Sequence, residues 1–574
     1  MLLAKLAEYH RRQEPLPFAY KEASVPWVVH LTAVGSLVPP VQRTSGAQRG
    51  NRDPGKSISA PALLVARTVK AVPTLLVDRA DYALGFAGRE PDQKTISATL
   101  RNHDLFLALL RQCYQATEES AVQAVLTFLE GPENTPGAYP SDLEPRDNVA
   151  FIVNGMAPED QPSVRRFWAD FQVQGTTGQT DARCLVCGQA RAIARRHPKV
   201  KGIPGGQTSG MSLVSANLPA FESFGLDASL ISPVCLDCAE AYTNGINALL
   251  SDPSTHLREG STVYLFWDQE GKGTPFLALL GEPSTQQVES LIGSHRLGRQ
   301  STLEPEEVAA FYAASVSASG GRVVLRDWLE TTLSNAYRNL ARYFLLQKLP
   351  HQEPFSLSRL RQSLTPPRSS RTTDQRDSLP AIITRWLVRC ALLGGTLPHG
   401  LLYQAVRRNR AEQGVTPARA ALIKMVLLSP LADESINQEG HMDNDTRHQP
   451  AYLCGRLLAL LEQAQAAALG NPNTTLVDRF YGAASSTPAS VFGLLLKNAQ
   501  AHLSKLRHER EGTYYYLQRE LGQVMEQLPG FPYTLDLRKQ GLFALGYYYQ
   551  RQERFRRRDA AEPLLDSVAE KGDE

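Results

Sequence analysis

The chain has 574 residues, of which 42% are hydrophobic and 21% are charged, and its formal net charge at pH 7 is +3. This length is enough for three or four domains, and the composition excludes disordered and fibrous proteins. No apolar run reaches the roughly 18 residues of a membrane helix, and the first residues do not form a signal peptide. We therefore expect a cytoplasmic protein with no membrane contact, whose seven cysteines are thiols or metal ligands.

The amino-terminal half mixes strand and helix patterns. A short amphipathic helix is predicted over residues 1–14. The β-branched or aromatic runs that follow it predict strands, and they are VPWVVHLTAV, ALLVARTV, TLLVDRADYALG, NVAFIVNG and STVYLFWD. Runs with helical period, HDLFLALLRQCYQ and SAVQAVLTFLE, lie between them. This half is therefore predicted to be α+β.

Long helices are predicted after Glu304. They begin with EPEEVAAFYAAS, continue through LRDWLETTLSNAYRNLARYFLLQKL and end in AYLCGRLLALLEQAQAAALG, SVFGLLLKNAQAHLSKL and TYYYLQRELGQVMEQL. The last three segments have apolar residues at three- and four-residue spacing, which is typical of a helical bundle. Two polar segments, SLTPPRSSRTTDQRDSLP and DESINQEGHMDNDTRHQP, are predicted linkers.

Four cysteines form two Cys-x-x-Cys pairs, the most specific chemical signal in the chain. Cys184 and Cys187 are separated by 47 residues from Cys235 and Cys238. A two-residue spacer lets both sulfurs of a pair reach one ion, so the pattern predicts a structural zinc site with no open position for catalysis. Unligated thiols and a redox pair are the alternatives, but no βαβ pattern supports the redox role. His197 is a weaker candidate ligand, which we expect at the surface.

The predicted fold class is α+β, with a mixed α/β amino-terminal half that carries a zinc-knuckle subdomain, a helical middle and a carboxy-terminal helical bundle. The predicted domains are residues 1–303, which include the zinc subdomain 181–240, then residues 304–440 and residues 441–574.

Positive charge is unevenly distributed along the chain. Between Asp181 and Glu222 there is no carboxylate, but there are six Arg or Lys residues. Residues 338–371 contain seven Arg or Lys and one acid. Localised positive charge favours a polyanion partner, most often nucleic acid, and a solvated basic face is the alternative.

Two glycine-containing loops supply the predicted DNA contacts. In HPKVKGIPGGQTSGMSLVSANLPAFESFG, Lys199 and Lys201 are predicted to contact phosphates and Gln207 to read adenine. In RTSGAQRGNRDPGKSIS, Arg52 and Lys56 are predicted phosphate contacts and Asn51 a base reader. Plain turns without a ligand are the alternative for both loops.

Catalytic motifs are scarce. The sequence has no HExxH, no GxSxG and no paired His-Asp motif of a metal-dependent phosphohydrolase, which favours a non-catalytic protein. A zinc-supported nuclease acting on nucleic acid is the alternative from a different class. A zinc-bearing transcription-type adaptor without a guide RNA is a third hypothesis.

Several long segments resemble one known family, the large subunit of the type I-C CRISPR interference complex (Cascade), also called the Csd family. In the carboxy-terminal part these are AYLCGRLLALLEQAQ, NTTLVDRFYGAASSTPASVFGLLLKNAQAHLSKL and GLFALGYYYQRQERF. In the middle they are GRVVLRDWLETTLSNAYRNLARYF, TRWLVRCALLGGTLPHGLLYQAVRRNR and ARAALIKMVLL. The loop that contains Lys199 and the segment TLLVDRADYALG are also similar, so the resemblance extends from the first helix to about Phe555.

The resemblance implies a non-catalytic, cytoplasmic subunit that recognises the PAM, the short motif beside the target, on duplex DNA. It would help to open the duplex, hold the displaced strand in the R-loop and recruit the helicase-nuclease. The implied partners are a CRISPR guide RNA complex with backbone and guide-end-binding subunits, target double-stranded DNA and the helicase-nuclease. The cysteines are the expected departure from the family, so Zn²⁺ would have a supporting, structural role.

The carboxy-terminal bundle is also a candidate separate product. The 133 residues from Met442 onward follow a polar linker. The resemblance suggests the hypothesis that a small subunit is translated from this region. In that case Arg456, Arg479, Lys497 and Lys505 are candidate contacts to the DNA strands. The alternative is that Met442 is only a linker residue.

Overall fold

A computed structural model describes residues 2–13, 16–44, 54–63, 71–174, 181–216, 218–269, 278–297, 309–366, 381–431, 444–470 and 474–569. The chain divides into two compact units. The first comprises Met1–Gly202, Gly206–Ser251 and Ala318–Val324, and the second comprises Ile203–Gly205, Asp252–Ser317 and Leu325–Glu574. The domain bounds predicted at residues 303 and 440 stay a prediction.

The first unit combines short strands with helices. Its strands are β1 (Tyr20–Val25), β2 (Trp27–Leu31), β3 (Gln42–Arg43), β4 (Lys56–Pro61), β5 (Asp78–Arg79), β6 (Asn148–Val153), β7 (Asp181–Arg183) and β8 (Ala190–Ala192). Its helices are α1 (Leu2–Arg12), α2 (Ala80–Ala83), α3 (Gln93–Thr117), α4 (Ser120–Glu130), α5 (Pro162–Gln174) and α6 (Leu236–Ser251). Helices α1, α3 and α4 confirm three sequence-based predictions.

A four-stranded sheet with the order β3–β2–β6–β5 forms the centre of this unit. Strands β2 and β6 are parallel, with Trp27 opposite Val149, and the outer strands are antiparallel. Side chains from the sheet and the helices bury a common core that includes Phe106, Phe128 and Trp168. Strands β1 and β4, and strands β7 and β8, form two further antiparallel pairs.

The predicted strand TLLVDRADYALG is wrong over most of its length. Only Asp78–Arg79 form β5, and the chain then enters helix α2. The carboxylate of Asp78 accepts the backbone N–H groups of Thr74 and Arg79, each at 2.7 Å, and so stabilises a turn. Buried Leu75 and Leu76 give the segment a strand-like composition although they pair with no strand.

The second unit begins with a sheet and continues as helices. Its strands are β9 (His256–Glu259), β10 (Thr262–Asp268), β11 (Ala310–Ser319) and β12 (Arg322–Thr332), in the order β12–β11–β10–β9, except that the hairpin residues Ala318–Val324 belong to the first unit. Its helices are α7 (Ala278–Gly281), α8 (Thr285–Leu297), α9 (Leu333–Gln347), α10 (Leu357–Gln362), α11 (Ile382–Leu393), α12 (His399–Glu412), α13 (Pro417–Leu428), α14 (Asn444–Arg447), α15 (Pro450–Leu469), α16 (Leu476–Ala484), α17 (Pro488–Glu509), α18 (Glu511–Gln527) and α19 (Leu537–Ala569).

The prediction of a helix over EPEEVAAFYAAS is wrong for the part of this segment that the structure describes. The segment from Ala310 is strand β11, and the first part of the next predicted helix is strand β12. Strand β11 is an interior strand in which residues 311–317 are all buried. Burial on both faces removes the alternation of polar and apolar residues that marks a strand, so periodicity cannot distinguish it from a helix.

Helices α9 to α13 and α15 to α19 of the second unit share one apolar core, which we call the helical core. Helices α15 and α19 approach so closely that a Cβ at Gly455 would overlap the backbone of Phe543, and one at Gly546 would overlap the backbone of Tyr452. Helices α15, α17 and α18 confirm the predicted bundle segments. The predicted fold class, a mixed α/β amino-terminal part followed by a largely helical carboxy-terminal half, is confirmed.

Most of the two predicted linkers lies outside the described residues. Among the helices that are described, none combines the length and the apolar character needed to span a bilayer.

Candidate metal centre and nucleic-acid interface

The first cysteine pair lies in the turn of the β7–β8 hairpin. The backbone N–H of Cys184 donates to the carbonyl of Gln189, and that of Gly188 donates to the carbonyl of Cys184, both at 2.9 Å. Gly188 has a φ of +73°, a conformation that glycine adopts without strain. The turn therefore bends both thiols of the pair toward the same side.

The second pair lies at the start of helix α6. Cys235 immediately precedes the helix and Cys238 is in its first turn. The backbone N–H groups of Cys235 and Val186 donate to Sγ of Cys184, at 3.3 and 3.4 Å. The bond from Cys235 connects the two pairs, and N–H donors of this kind stabilise negative charge on a sulfur ligand.

The four sulfur atoms form one cluster. All of them lie within 4.8 Å of one another, and Sγ of Cys187 is 3.9 Å from Sγ of Cys235. A tetrahedral zinc with bonds of about 2.3 Å requires sulfurs about 3.8 Å apart, which fits this arrangement. Cys184, Cys235 and Cys238 are buried, so the cluster is largely shielded from water. The four cysteines therefore form a candidate metal site.

A cation lies beside this cluster. Nη2 of Arg11, on helix α1, is 3.4 Å from Sγ of Cys238 and 2.7 Å from a carboxylate oxygen of Asp237. Helix α1 can reach the site because Gly245 has no side chain. A Cβ at this position would overlap the carbonyl oxygen of Leu6. Four thiolates around a divalent cation carry a net charge of −2, which the guanidinium partly neutralises. No pattern in the sequence pointed to Arg11.

The thiol pKa values argue against redox chemistry at these cysteines. Hydrogen bonding with Cys238, followed by burial, raises the pKa of Cys235, and burial raises the pKa of Cys187. A reactive redox cysteine needs a lowered pKa instead. A divalent cation would displace the protons and hold the sulfurs as thiolates.

His197 does not lie at the surface, so that expectation was wrong. It is buried, and its Nδ1 lies 2.6 Å from the hydroxyl oxygen of Tyr242. Burial lowers the pKa of His197 to about 4, so its ring is neutral near pH 7. It does not belong to the group of possible metal ligands.

The structure brings three predicted DNA-contacting residues onto one loop, residues 199–212, which we call the knuckle loop. Lys199, Lys201 and Gln207 are all exposed. The ends of the loop are joined by two reciprocal 2.8 Å backbone hydrogen bonds between Val200 and Met211. The loop therefore presents two cations and one amide to solvent.

Polar contacts hold the base of the knuckle loop. The side chain of Asn247, on helix α6, accepts the backbone N–H of Lys201 at 3.0 Å and donates to the carbonyl of Lys199 at 3.2 Å. Gly210 has a φ of +92°, and a Cβ there would lie 2.7 Å from Cβ of Lys199. The same helix that carries Cys238 thus positions the loop, which links the candidate metal site to the predicted DNA contacts.

Lys56 lies on a separate element. It is the first residue of strand β4, it is exposed, and its backbone N–H donates to Oγ1 of Thr44 at 3.0 Å. Asn51 and Arg52 lie outside the described residues.

Residues 50–57 have the spacing GxxxxGKS of a nucleotide-binding P-loop, so an expectation that the sequence lacks this motif is wrong. In a P-loop, the Lys and Ser open a helix whose N-terminus binds phosphate. Here Lys56 and Ser57 begin strand β4, and the Ser57 hydroxyl donates to Glu22 at 2.7 Å. The structural context of a P-loop is therefore missing.

The carboxy-terminal candidates differ in exposure. Nε of Arg456 donates to Gln550 at 2.7 Å, and its Nη2 is 3.9 Å from Glu520, so this guanidinium is engaged inside the helical core. The other three are exposed, namely Arg479 on α16 and Lys497 and Lys505 on α17. Met442 lies outside the described residues, so the internal-start hypothesis stays a prediction.

Comparison with known proteins supports one family. No curated protein matches the chain. The family model described as CRISPR-associated protein (Cas_Csd1) matches residues 3–555. This is the family of the type I-C large subunit, and the match covers nearly the whole chain, including both cysteine pairs and the knuckle loop. The chain therefore belongs to the Cas_Csd1 family of CRISPR-associated proteins.

Proposed function

We propose that the chain is the non-catalytic large subunit of an RNA-guided surveillance complex. In this role it recognises the PAM on duplex DNA, helps to open the duplex, holds the R-loop and recruits the helicase-nuclease. Family membership supports a place in a complex with guide RNA, backbone subunits and a guide-end-binding subunit. Guide pairing reads the target in such complexes, so the protein has to read only the short PAM.

The observation that carries the DNA-binding part is the knuckle loop. Lys199 and Lys201 are exposed on a loop whose two ends are hydrogen-bonded to each other. Lysines in this setting contact phosphates and position the protein, while the exposed amide of Gln207 suits the two hydrogen-bonding groups of adenine in the major groove. No carboxylate occurs between Asp181 and Glu222 to repel the DNA backbone.

The metal has a structural role in this proposal. Zinc bound by Cys184, Cys187, Cys235 and Cys238 would join the β7–β8 hairpin to helix α6, whose Asn247 holds the knuckle loop. Four thiolate ligands leave no coordination position for a water or a phosphate. Opening of the duplex needs no catalytic group, because exchange of DNA pairs for RNA–DNA pairs is nearly balanced in energy.

The salt dependence of DNA binding tests this proposal. The chain is assembled with its guide RNA and partner subunits, and the affinity for PAM-containing duplex is measured across salt concentrations. Replacing Lys201 with Gln should weaken binding to all sequences and reduce the log–log salt slope by about 0.9. Lys94→Gln, an exposed substitution on α3, is the matched control. An unchanged slope for both Lys199→Gln and Lys201→Gln would contradict the proposed contact.

A nuclease remains the second candidate function. Metal-dependent cleavage of DNA by the isolated chain would support it over the non-catalytic role.

A further inference from the structure

An exposed aromatic turn lies between the two cysteine pairs. Ser223 and Leu226 form an antiparallel bridge, with the N–H of Leu226 donating to the carbonyl of Ser223 at 3.0 Å. The two residues between them, Phe224 and Gly225, have φ values of +56° and +71°. The side chain of Phe224 is the most exposed of the large hydrophobic residues described, at 99%.

Local folding does not account for Phe224 at this position. Tight turns with two positive φ values favour Asn-Gly or Asp-Gly, and a bulky residue in this conformation is strained. Because the ring is fully exposed, it buries no apolar surface and does not stabilise the fold in this way. A residue that is both strained and exposed points to a role in binding.

The turn is held in place by its neighbours. The N–H of Phe221 donates to the carbonyl of Leu218 at 2.9 Å. The guanidinium of Arg322 lies 4.1 Å from the centroid of the Phe221 ring, a cation–π contact. Leu218, Phe221 and Leu226 are each about half exposed, so residues 218–227 form a pre-ordered apolar projection, which we call the aromatic finger.

Charge distinguishes between the possible partners of the aromatic finger. Its own charged residues are Glu222 and Asp227, and no Arg or Lys occurs between Lys201 and Arg258 along the chain. The cation beside it, Arg322, packs on the ring of Phe221. Both carboxylates are exposed and would repel phosphates, so the finger does not suit nucleic acid. An aromatic anchor with acidic flanks suits an apolar pocket with a basic rim on a protein surface.

We propose that the aromatic finger docks on another protein subunit of the assembled complex, where the ring of Phe224 fills an apolar pocket rimmed by basic side chains. This docking rests on the proposed function in one respect, because it requires that the chain assembles with other protein subunits. Because the finger is already ordered, little conformational entropy is lost on docking.

The test uses the full chain co-expressed with the guide RNA, the backbone subunits and the guide-end-binding subunit. Phe224→Asn removes the ring but keeps a residue that suits a positive φ, so the free variant should melt as the wild type does. We expect its affinity for the other subunits to fall about tenfold or more, and Phe224→Trp to retain binding. Tyr533→Ala, at a site 87% exposed in the second unit, is the matched control and should assemble normally.

Three results would overturn the docking proposal while leaving the proposed function intact. Phe224→Asn that assembles as tightly as the wild type would show that the ring is not an anchor. Normal assembly with weakened DNA binding would show that the ring contacts nucleic acid. Self-association of the free wild-type chain that Phe224→Asn abolishes would identify a second copy as the partner. A wild-type chain that does not assemble at all would contradict the proposed function and the docking together.

Discussion

The zinc subdomain (181–240) and the helical core are stabilised by different interactions. The predicted zinc subdomain contains a pair of three-residue strands and the four clustered thiols of the candidate metal site. In the helical core, Leu457 and Phe543 are fully buried and glycines allow α15 and α19 to approach closely. We therefore propose that a bound metal stabilises the first region, whereas apolar packing stabilises the second.

This difference explains where the exposed recognition groups lie. The knuckle loop and the aromatic finger both belong to the region between the two cysteine pairs, and hydrogen bonds hold the base of the knuckle loop. Binding residues are often found on loops that a rigid framework positions. In our proposal a bound metal supplies that framework, so damage to the metal site and damage to the helical core should have separable effects.

The largest expected effect is that of the metal site. Cys238→Ser should abolish stoichiometric zinc and unfold the zinc subdomain, because a structural zinc contributes about 10–16 kcal/mol of binding energy. Zinc content and hydrogen exchange of residues 181–240 measure this, and helices α15 and α19 should stay protected.

The matched control is Cys454→Ala, which removes a buried thiol from the helical core and should leave one zinc per chain. Wild-type protein without stoichiometric zinc, with all four clustered thiols freely titratable, would contradict the metal assignment.

The next effect concerns close packing in the helical core. Gly455→Ala places a methyl group against the backbone of Phe543, so we expect a loss of at least about 1–3 kcal/mol in the free energy of unfolding. Gly493→Ala, on helix α17, meets no atom within 4 Å and should instead stabilise its helix by up to about 1 kcal/mol. Denaturant unfolding measures both variants, and equal effects would argue against this packing.

A smaller effect is expected from the cation beside the thiols. Arg11→Met keeps much of the apolar stem but removes the guanidinium next to Cys238 and Asp237. Zinc affinity should fall about tenfold, as is typical when a partner of a metal ligand is lost. Competition with a chelator measures it, and Arg12→Met on the same helix is the control. Identical zinc affinities for the two variants would show that Arg11 does not contribute to zinc binding.

A separate effect concerns the pH dependence of the helical core. Lys424 is fully buried, its Nζ donates to the carbonyl of Lys348 at 2.5 Å, and burial lowers its pKa from 10.5 to about 7. Between these values the unfolded chain binds a proton that the folded chain does not, so Lys424 makes stability rise with pH across this window.

Thermal melts between pH 7 and pH 10 measure this contribution. Lys424→Met should flatten the rise, so that its melting temperature relative to the wild type is highest near pH 7 and declines as the pH increases. Lys505→Met, at an exposed site, should leave the pH dependence unchanged. A rise of equal slope in the wild type and Lys424→Met would contradict the lowered pKa.

Local spacing was enough to predict some features. Both cysteine pairs could be recognised because each lies within four residues, and helices such as α4 could be recognised because their apolar residues repeat with helical period. Features that depend on distant partners could not be predicted. Arg11 is more than 200 positions from Cys238, and strand β11 is buried by neighbouring strands that its own sequence does not specify. The finger's exposed ring at Phe224 looks like an ordinary loop residue in the sequence.

We propose that the knuckle loop places this chain on duplex DNA and reads base edges there. The most direct test is the ratio of the affinities of the assembled complex for a PAM duplex and for an altered duplex, with Gln207 or with Ala at that position. We predict that Gln207→Ala reduces this discrimination by roughly 1–3 kcal/mol, while the exposed control Gln93→Ala leaves it unchanged. The same ratio before and after Gln207→Ala would contradict the claim.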